Sequence, residues 1–332
     1  MEFPIISLKD LDSDFETISK TIFQASQEWG FFIVTDHGIT GAERMFELAG
    51  QFFDLPMEVK GEKTLNELGV GYDGHKPTSF AASEGMALGL PVGQLSGCPN
   101  LHSWWTADRI EQVESFKTQC NALTLRIVSC YAEHFGLRRT FFETSHNNTL
   151  PGNALKFIKY PKMENKPPNS PARLSEHSDW GSLTLLFMGS PGLEVRDPSD
   201  NWHHVPHIRG GIVVNIGDLL SFWSDGKLKS TMHRISWDKV PLDRDRFSIP
   251  YFAQPSFETD LKPLTRSGST AIEEEAKPLT YSEYYHTRIR LTWGSIFDDG
   301  DSKKQPEIHK RLAKYLGYKP LKRDFLSEGL SA

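Results

Sequence analysis

Hydrophobic and polar positions follow two different spacings along this chain. Helical spacing dominates the first half, and strand-like spacing dominates the second. The clearest helical pattern covers Asp108–Phe135, where apolar side chains recur at gaps of three and four residues. Its members are Val113, Phe116, Cys120, Leu123, Ile127 and Cys130. We predict one long helix that ends at Gly136 and packs this apolar face against a sheet.

A shorter helix is predicted over Asp14–Glu28, and the aromatic and β-branched run after Gly30 predicts a strand. From about Ala154 onward, short apolar runs predict an antiparallel jelly roll, a double-sheet architecture with an open mouth. The run Leu183–Phe187 within it predicts a buried strand. We therefore expect a mainly β fold of the α+β class, a double-stranded β-helix (jelly roll, cupin-like) with flanking helices.

Two stretches lack a regular pattern. Gly61–Thr106 is rich in glycine, proline and small residues, and we expect a long loop region there. Its large side chains either line a substrate wall or cap the core; they are Tyr72, Phe80, Met86, Trp104 and Trp105. Gln254–Pro278 is the second such stretch, and its acidic run Glu273–Glu275 is expected to be a solvated face.

The segment Tyr281–Arg290 predicts a helix that could close the mouth of the barrel. Its Arg288 and Arg290 are expected on the surface, with contact to an acidic substrate as the alternative. We divide the chain into a helix-rich region, a jelly-roll core and a closing region of loop and helices, and expect one structural unit. The three regions are residues 1–150, 151–255 and 256–332.

Charge and composition exclude several classes of protein. The chain has 332 residues, a formal net charge of −6 and an isoelectric point near 6.1, whereas nucleic-acid binders usually display basic surfaces. No apolar run reaches the roughly 20 residues that span a bilayer, and the first residues lack a signal-peptide pattern. The widely spaced Cys98, Cys120 and Cys130 are expected to be reduced thiols. We expect a monomer of the cytosol without membrane or nucleic-acid partners.

Candidate metal chemistry begins at His177 and Asp179, which one residue separates. In a strand, such residues project to the same face and can reach one ion together. His233 lies 54 residues after Asp179, which leaves room for several strands between them. Two imidazoles and one carboxylate on one face of a metal suit a non-haem Fe(II) oxygenase. The triplet alone is weak evidence, since a structural hydrogen bond between His177 and Asp179 explains it equally well.

A candidate carboxylate anchor follows. Arg246 and Ser248 come 13 and 15 residues after His233, in a strand-like run. A guanidinium and a hydroxyl on one face can hold a carboxylate through charge-assisted hydrogen bonds. A ligand with a chelating 2-oxo acid at one end and a carboxylate at the other would satisfy both the metal and this anchor. 2-Oxoglutarate is such a ligand.

Further segments match a known family in the same order along the chain. These are Phe3–Ile6, Trp29–Ile39, Phe52–Pro56, Lys159–Pro161 and Val214–Asp218. Together with the residues above, they make the chain resemble the isopenicillin N synthase-like group of Fe(II)/2-oxoglutarate-dependent dioxygenases over most of its length. The resemblance implies the same jelly-roll fold, with helices supporting one sheet.

The resemblance also implies functional residues and cofactors. The implied iron ligands are His177, Asp179 and His233, and the implied co-substrate residues are Arg246, Ser248 and Tyr160. Fe(II), 2-oxoglutarate and O2 are then required, and ascorbate is a possible aid. The implied reaction is oxidation, by default hydroxylation, of a C–H bond in a small metabolite such as an amino acid or a secondary-metabolite intermediate. Succinate and CO2 are the implied co-products.

Leu185 and Phe187 are expected to be apolar neighbours of this site, because a dry pocket must decide which bond is attacked.

One departure from the family pattern leaves an alternative open. Many members carry an asparagine two residues before the tyrosine, where this chain has Ile158. Isopenicillin N synthase looks similar at this point and uses its Arg-x-Ser pair to hold the carboxylate of its substrate. The alternative is therefore an iron oxidase that uses O2 without 2-oxoglutarate and performs oxidative cyclisation or desaturation.

The other histidines have simpler explanations. His203, His204 and His207 form the densest cluster, but Pro206 breaks regular geometry and we expect no acidic partner close in sequence. A second metal site there is not favoured. His37 follows a predicted strand and is expected to be a hydrogen-bonded turn residue.

Overall fold

Two β-sheets that face each other form the centre of the structure, and helices cover the outer face of the larger one. The structure is a computed structural model, and it describes residues 2–66, 68–74, 83–146, 152–166, 170, 172–197, 199–264 and 279–293. Within the last of these ranges, side chains are described as far as residue 288.

The helices are α1 (Phe15–Glu28), α2 (Ala42–Phe53), α3 (Met57–Lys60), α4 (Ala107–Ala132), α5 (Phe141–Ser145), α6 (Asp218–Trp223) and α7 (Tyr281–Trp293). The strands are β1 (Ile5–Ser7), β2 (Phe31–Thr35), β3 (Val70–Asp73), β4 (Glu84–Leu88), β5 (Ala154–Tyr160), β6 (Leu174–His177), β7 (Leu183–Met188), β8 (Leu193–Arg196), β9 (Trp202–His204), β10 (Ile212–Ile216), β11 (His233–Ile235), β12 (Arg246–Ala253), β13 (Asp260–Leu261) and β14 (Leu279–Thr280).

The larger sheet has eight strands in the order β1-β2-β10-β7-β12-β5-β4-β3, and the smaller has four in the order β6-β11-β8-β9. Apart from the parallel pair β1–β2, the strand pairs of these two sheets are antiparallel. The predicted mainly β jelly roll with flanking helices is confirmed. The N-terminal strands occupy both edges of the larger sheet, while the three-region division of the chain stays a prediction.

Both faces of the larger sheet are buried. Phe32 and Val34 of β2 belong to the core cluster that includes α1 and α4, whereas Phe31 and Ile33 belong to a second cluster between the two sheets. We call that second space the barrel interior. Because both faces of β2 and β7 pack against other parts of the protein, these strands are apolar at consecutive positions instead of alternating.

The helices predicted from spacing are confirmed. The six apolar positions of α4 are at most 2% exposed, and the ring of Phe116 lies 5.0 Å from that of Phe187 on β7. A 3₁₀ turn over Glu133–Phe135 continues α4, and Gly136 follows it with φ +70°, a left-handed conformation that glycine adopts without strain. The helix α4 therefore braces the outer face of the larger sheet, as predicted.

The long loop predicted over Gly61–Thr106 is wrong in part, because β3 and β4 lie within it. Glycines concealed these strands. A Cβ at Gly71 would lie 2.4 Å from the carbonyl oxygen of Thr64, and one at Gly85 would lie 2.5 Å from Cε of Lys156. At Gly71 the close backbone oxygen thus requires glycine where a strand pattern would show a side chain, whereas at Gly85 the flexible lysine side chain could move aside.

The described large side chains of this segment cap the core, which is the second of the two alternatives. Tyr72, Met86 and Trp105 are buried in the cluster on the helical side of the larger sheet, and Trp104 packs against it. Phe80, the remaining candidate, lies outside the described residues.

The predicted C-terminal helix is present as α7, but Arg288 is not a surface residue. It is only 7% exposed, its guanidinium bonds to the carboxylate of Asp218, and it lies 5.4 Å from the ring of Trp180. The side chain of Arg290 and the acidic run Glu273–Glu275 lie outside the described residues.

Two smaller expectations are met. Cys98, Cys120 and Cys130 are free thiols, and the last two are buried. The ring of His37 accepts a hydrogen bond from the Ile39 N–H and bonds to the carbonyl oxygen of Gly210, as expected of a turn residue. Within the described ranges, no helix combines the length and the apolar character needed to cross a membrane.

The start of α6 holds the segment between β6 and β7. The Gly217 N–H donates to the carbonyl oxygen of Ser182 at 3.0 Å, and the Asp218 N–H donates to that of Asp179 at 2.8 Å. A Cβ at Gly217 would lie only 2.2 Å from the carbonyl oxygen of Gly181. The position therefore requires glycine, although its φ of −95° is ordinary.

We predict that Gly217→Ala lowers the free energy of unfolding by more than about 2 kcal/mol, because the new Cβ must push this segment away. Urea denaturation measures the change. Gly50→Ala in α2 is the matched control, since nothing lies within 4 Å of its new Cβ and helix propensity there favours alanine by about 0.5–1 kcal/mol. Equal stability of the two variants would contradict the close contact at Gly217.

Candidate active site

The three candidate metal ligands meet at one end of the barrel interior. His177 is the last residue of β6, His233 is the first residue of β11, and the two are direct partners in the smaller sheet. Asp179 lies beyond the end of β6, so the expected strand that would carry both His177 and Asp179 is wrong. The backbone of α6 supplies the missing constraint through the Asp218 N–H.

The three side chains place one donor atom each within 4.8 Å of one another. Nε2 of His233 lies 3.8 Å from Oδ1 of Asp179, and the ring centres of His177 and His233 are 4.1 Å apart. The structure thus brings together the residues that the sequence singled out. This donor set could hold one metal ion on one face and leave the other face open.

Backbone carbonyls orient both imidazole rings. Nδ1 of His177 lies 2.9 Å from the Ser175 oxygen, and Nδ1 of His233 lies 3.1 Å from the Thr231 oxygen. Each Nδ1–H therefore donates to a carbonyl two residues earlier, which selects the tautomer whose Nε2 lone pair can bind a metal.

Two residues that the sequence analysis missed orient the carboxylate. The Thr184 hydroxyl and the Asn215 amide both donate to Oδ2 of Asp179, at 2.6 and 2.7 Å. Oδ1 remains on the side of His233. The sequence did contain a sign of their role, because each is a polar residue within an otherwise apolar strand, Thr184 in β7 and Asn215 in β10.

Electrostatics favour the metal-binding forms of His177 and Asp179. Burial, assisted by the neighbouring His233, lowers the pKa of His177 to about 4, so its imidazole is neutral near pH 7. Burial opposes ionisation of Asp179, but the two imidazoles and the hydrogen bonds from Thr184 and Asn215 outweigh it and lower the carboxyl pKa. A neutral imidazole and an ionised carboxylate are the forms that bind a divalent metal.

The candidate carboxylate anchor lies further inside the barrel. In the larger sheet, Arg246 of β12 is paired with Tyr160 of β5, and Ser248 is paired with Ile158. The Arg246 guanidinium lies 5.1 Å from the Tyr160 ring. Burial raises the pKa of Tyr160, although Arg246 and a hydrogen bond with Ser248 act in the opposite direction. The three predicted residues are therefore neighbours.

Arg246 lacks partners for most of its donors. It is 1% exposed, and its Nε donates to the carbonyl oxygen of Pro191 at 3.1 Å. Nη1 and Nη2 are buried and have no hydrogen-bond partner among the described residues. Burying a cation without partners is costly. Two parallel N–H donors fit a carboxylate, so this observation favours an anionic ligand.

The prediction that Leu185 and Phe187 are apolar neighbours of the site is wrong, because their side chains lie on the other face of β7. Leu185 and Phe187 pack on the helical side of the larger sheet, whereas Leu186 and Met188 pack in the barrel interior. Because β7 is apolar on both faces, its sequence could not reveal which face is turned inward.

The inner face of the larger sheet also carries a charged pair that the sequence did not predict, formed by Lys156 and Asp73. Lys156 of β5 lies on the same face as Ile158 and Tyr160, and its Nζ is 3.1 Å from Oδ2 of Asp73 on β3. Both side chains are about one-fifth exposed. This pair is therefore accessible to a small molecule.

The histidine cluster has acidic neighbours after all. His203 bonds to Asp197 at 2.7 Å, and His204 lies 3.4 Å from Glu194. Glu194, His204 and Asp238 also place donor atoms within 4.8 Å of one another. Glu194 already accepts a hydrogen bond from Arg234 at 2.6 Å, and we assign no function to this group.

We predict that Asn215→Ala weakens metal binding by about 10- to 100-fold, because the carboxylate loses one of the two donors that fix its orientation. Titration of the metal-free protein with Mn²⁺, followed by electron paramagnetic resonance, measures the affinity.

Ser224→Ala is the control, since its hydroxyl is also buried and bonded but lies at the end of α6. Equal metal affinity in the Asn215 variant and the wild-type protein would show that Asn215 does not orient the Asp179 carboxylate for metal binding.

The chain is similar to several known proteins. It is 33% identical over 316 residues to the UPF0676 protein C1494.01 of Schizosaccharomyces pombe, and the match covers 89% of the chain and 94% of the relative. It is 27% identical over 296 residues to the flavonol synthase/flavanone 3-hydroxylase of Matthiola incana, with 87% of the chain and 98% of the relative covered.

Solved structures agree. The structure of a full-length Neurospora crassa protein in complex with alpha-KG and 5-formyluracil matches with a TM-score of 0.76 and 26% identity, over 87% of this chain and 96% of that one. The 2-oxoglutarate complex of the Arabidopsis thaliana dioxygenase for auxin oxidation matches with a TM-score of 0.68 and 26% identity, over 81% and 98% of the two chains.

Two family profiles match the chain itself. The 2OG-Fe(II) oxygenase superfamily profile matches residues 152–255, and the profile "non-haem dioxygenase in morphine synthesis N-terminal" matches residues 3–90. The first range contains the three candidate metal ligands and the carboxylate anchor. The chain belongs to the 2OG-Fe(II) oxygenase superfamily and is a non-haem Fe(II)/2-oxoglutarate-dependent dioxygenase.

Proposed function

We propose that His177, Asp179 and His233 bind the iron, and that Arg246, Ser248 and Tyr160 hold the distal carboxylate of 2-oxoglutarate. The observation that carries the second assignment is the pair of buried Arg246 nitrogens without partners among the described residues. Ile158, where many relatives have asparagine, packs as an apolar residue against the barrel interior, so the polar groups for the carboxylate come from β12 and Tyr160.

When bound, iron, 2-oxoglutarate and O2 supply the oxidation, with succinate and CO2 as co-products. The residues of this chain fix the geometry and exclude water. Thr184 and Asn215 hold the Asp179 carboxylate, and Leu186 and Met188 provide an apolar lining. An apolar surrounding strengthens the charge-assisted hydrogen bonds of the anchor.

The proposed reaction is hydroxylation of a C–H bond in a small polar metabolite, such as an amino acid or a secondary-metabolite intermediate. The accessible pair Lys156–Asp73 supports a substrate that carries charge, because its two ends offer one cation and one anion. The Neurospora protein was crystallised with 5-formyluracil, and a small molecule of that size supports the same class. A monomeric cytosolic protein without a nucleic-acid partner stays a prediction.

The experiment that tests the anchor needs no substrate. Fe(II) and then 2-oxoglutarate are added to the metal-free protein without oxygen, and the visible charge-transfer band of the chelated 2-oxo acid is titrated. We expect the band in the wild-type protein and a loss of 2-oxoglutarate affinity of about 100-fold or more in Arg246→Ala, because a buried charge pair loses one member.

Arg109→Ala is the matched control for this variant. Its guanidinium also lies over an aromatic ring, that of Trp104 at 4.0 Å, and also donates to a carbonyl, but it belongs to α4. His233→Ala is expected to abolish the band because iron is not held. Wild-type affinity in Arg246→Ala would refute the anchor, and an unchanged band in His233→Ala would refute the metal assignment.

We predict that Lys156→Met reduces substrate-stimulated succinate release by at least about tenfold, since a substrate charge loses its partner. A panel of amino acids, carboxylic acids and neutral phenolics is screened first with the wild-type protein to find the compounds that stimulate release.

Lys159→Met is the control, because Lys159 lies on the same strand, turned to the other face, and pairs with Asp245 at 3.0 Å. Equal stimulation in both variants would exclude Lys156 from substrate binding.

A further inference from the structure

A second arginine lies beside the co-substrate anchor. Arg173 immediately precedes β6, and its backbone N–H donates to the carbonyl oxygen of Ile235 at 2.8 Å. Its guanidinium lies 5.8 Å from the centre of the Tyr160 ring, the same ring that the Arg246 guanidinium approaches to 5.1 Å. The Tyr160 ring thus lies next to two cations, one on β12 and one just before β6.

Arg173 is held in place rather than free in solvent. It is 3% exposed, its Nη2 donates to the Pro161 oxygen at 2.6 Å, and its Nη1 contacts Sδ of Met163. The Trp237 ring lies 5.4 Å from the guanidinium. Such packing fixes the charge at one position beside Tyr160.

The positive charge of Arg173 has no matching carboxylate. Among the described residues it takes part in no ion pair, and its buried Nε has no hydrogen-bond partner. Asp245, whose charge acts on Arg173, is instead paired with Lys159 at 3.0 Å. Two buried guanidinium groups without a paired carboxylate among the described residues therefore lie 5.8 and 5.1 Å from the centre of the Tyr160 ring, an arrangement that costs free energy unless an anion binds there.

We propose that Arg173 is a positioning residue for 2-oxoglutarate. It acts through Tyr160, whose ring it holds against the anchor, and through its charge, which attracts the distal carboxylate that Arg246 grips. The proposal rests on the proposed anchor at Arg246. It explains why a cation is buried beside the smaller sheet, where an apolar side chain would fill the space without a charge.

The test compares two 2-oxo acids that share the chelating end. 2-Oxoglutarate carries the distal carboxylate and 2-oxobutanoate lacks it, and the affinity of each is measured by the anaerobic charge-transfer titration with Fe(II). We expect Arg173→Gln to weaken 2-oxoglutarate binding on the order of tenfold, because a buried charge near the distal carboxylate is removed. Binding of 2-oxobutanoate should change less than about twofold.

Arg173→Lys keeps the charge and should bind 2-oxoglutarate within about threefold of the wild-type protein, while Arg109→Gln controls for the loss of an arginine that packs on a ring. Thermal denaturation checks that each variant is folded. Unchanged 2-oxoglutarate affinity in folded Arg173→Gln overturns the proposal. Equal weakening of both acids also overturns it, because it shows a general structural role.

Arg246→Ala gives a test that does not depend on the folding of an Arg173 variant. With Arg173 still present, this protein should retain a preference of several-fold for 2-oxoglutarate over 2-oxobutanoate, and no preference overturns the proposal for Arg173. If Arg246→Ala binds 2-oxoglutarate as the wild-type protein does, the anchor assignment itself fails, which is a distinguishable result.

Discussion

The cost of burying charge in an apolar barrel governs this structure. The space between the two sheets is lined by side chains such as Phe31, Leu193 and Val195, yet Asp179 and Arg246 point into it. Two hydrogen bonds and two imidazoles offset the cost for Asp179. Arg246 has a single hydrogen-bond partner among the described residues. The rest of the cost of burying its charge is left for a ligand to offset. Binding of an anion therefore also stabilises the fold.

Much of the site could be predicted from the sequence because its functional residues stand close together along the chain. His177 with Asp179, and Arg246 with Ser248, stand two residues apart, and their residue types are rare in apolar surroundings. The helix α4 was predictable because one of its faces is buried along most of its length and carries the regular apolar spacing. Resemblance to a family then joined pieces that spacing alone could not connect.

The rest depends on how distant strands come together. Lys156 and Asp73 are 83 residues apart and become partners only when β3, β4 and β5 assemble. The strands β3 and β4 were hidden because glycines replace the side chains that would mark them. Leu185 and Phe187 were placed on the wrong face because a strand buried on both sides carries no pattern that distinguishes them. The burial of Arg288 could not be predicted because its partner, Asp218, lies 70 residues away in the sequence.

The edge formed by β3 and β4 has a consequence for how such enzymes diversify. Within the described residues, the pairing of β4 with β5 joins these two strands to the rest of the larger sheet. The candidate metal ligands and the anchor arginine lie elsewhere, on β6, β11 and β12 and in the turn after β6. Mutations at the edge can therefore reshape the wall beside Lys156 while the oxidative machinery is inherited intact. With the proposed role of the Lys156–Asp73 pair in substrate binding, a change at Asp73 on β3 alters selectivity without rebuilding the strands that carry the metal ligands.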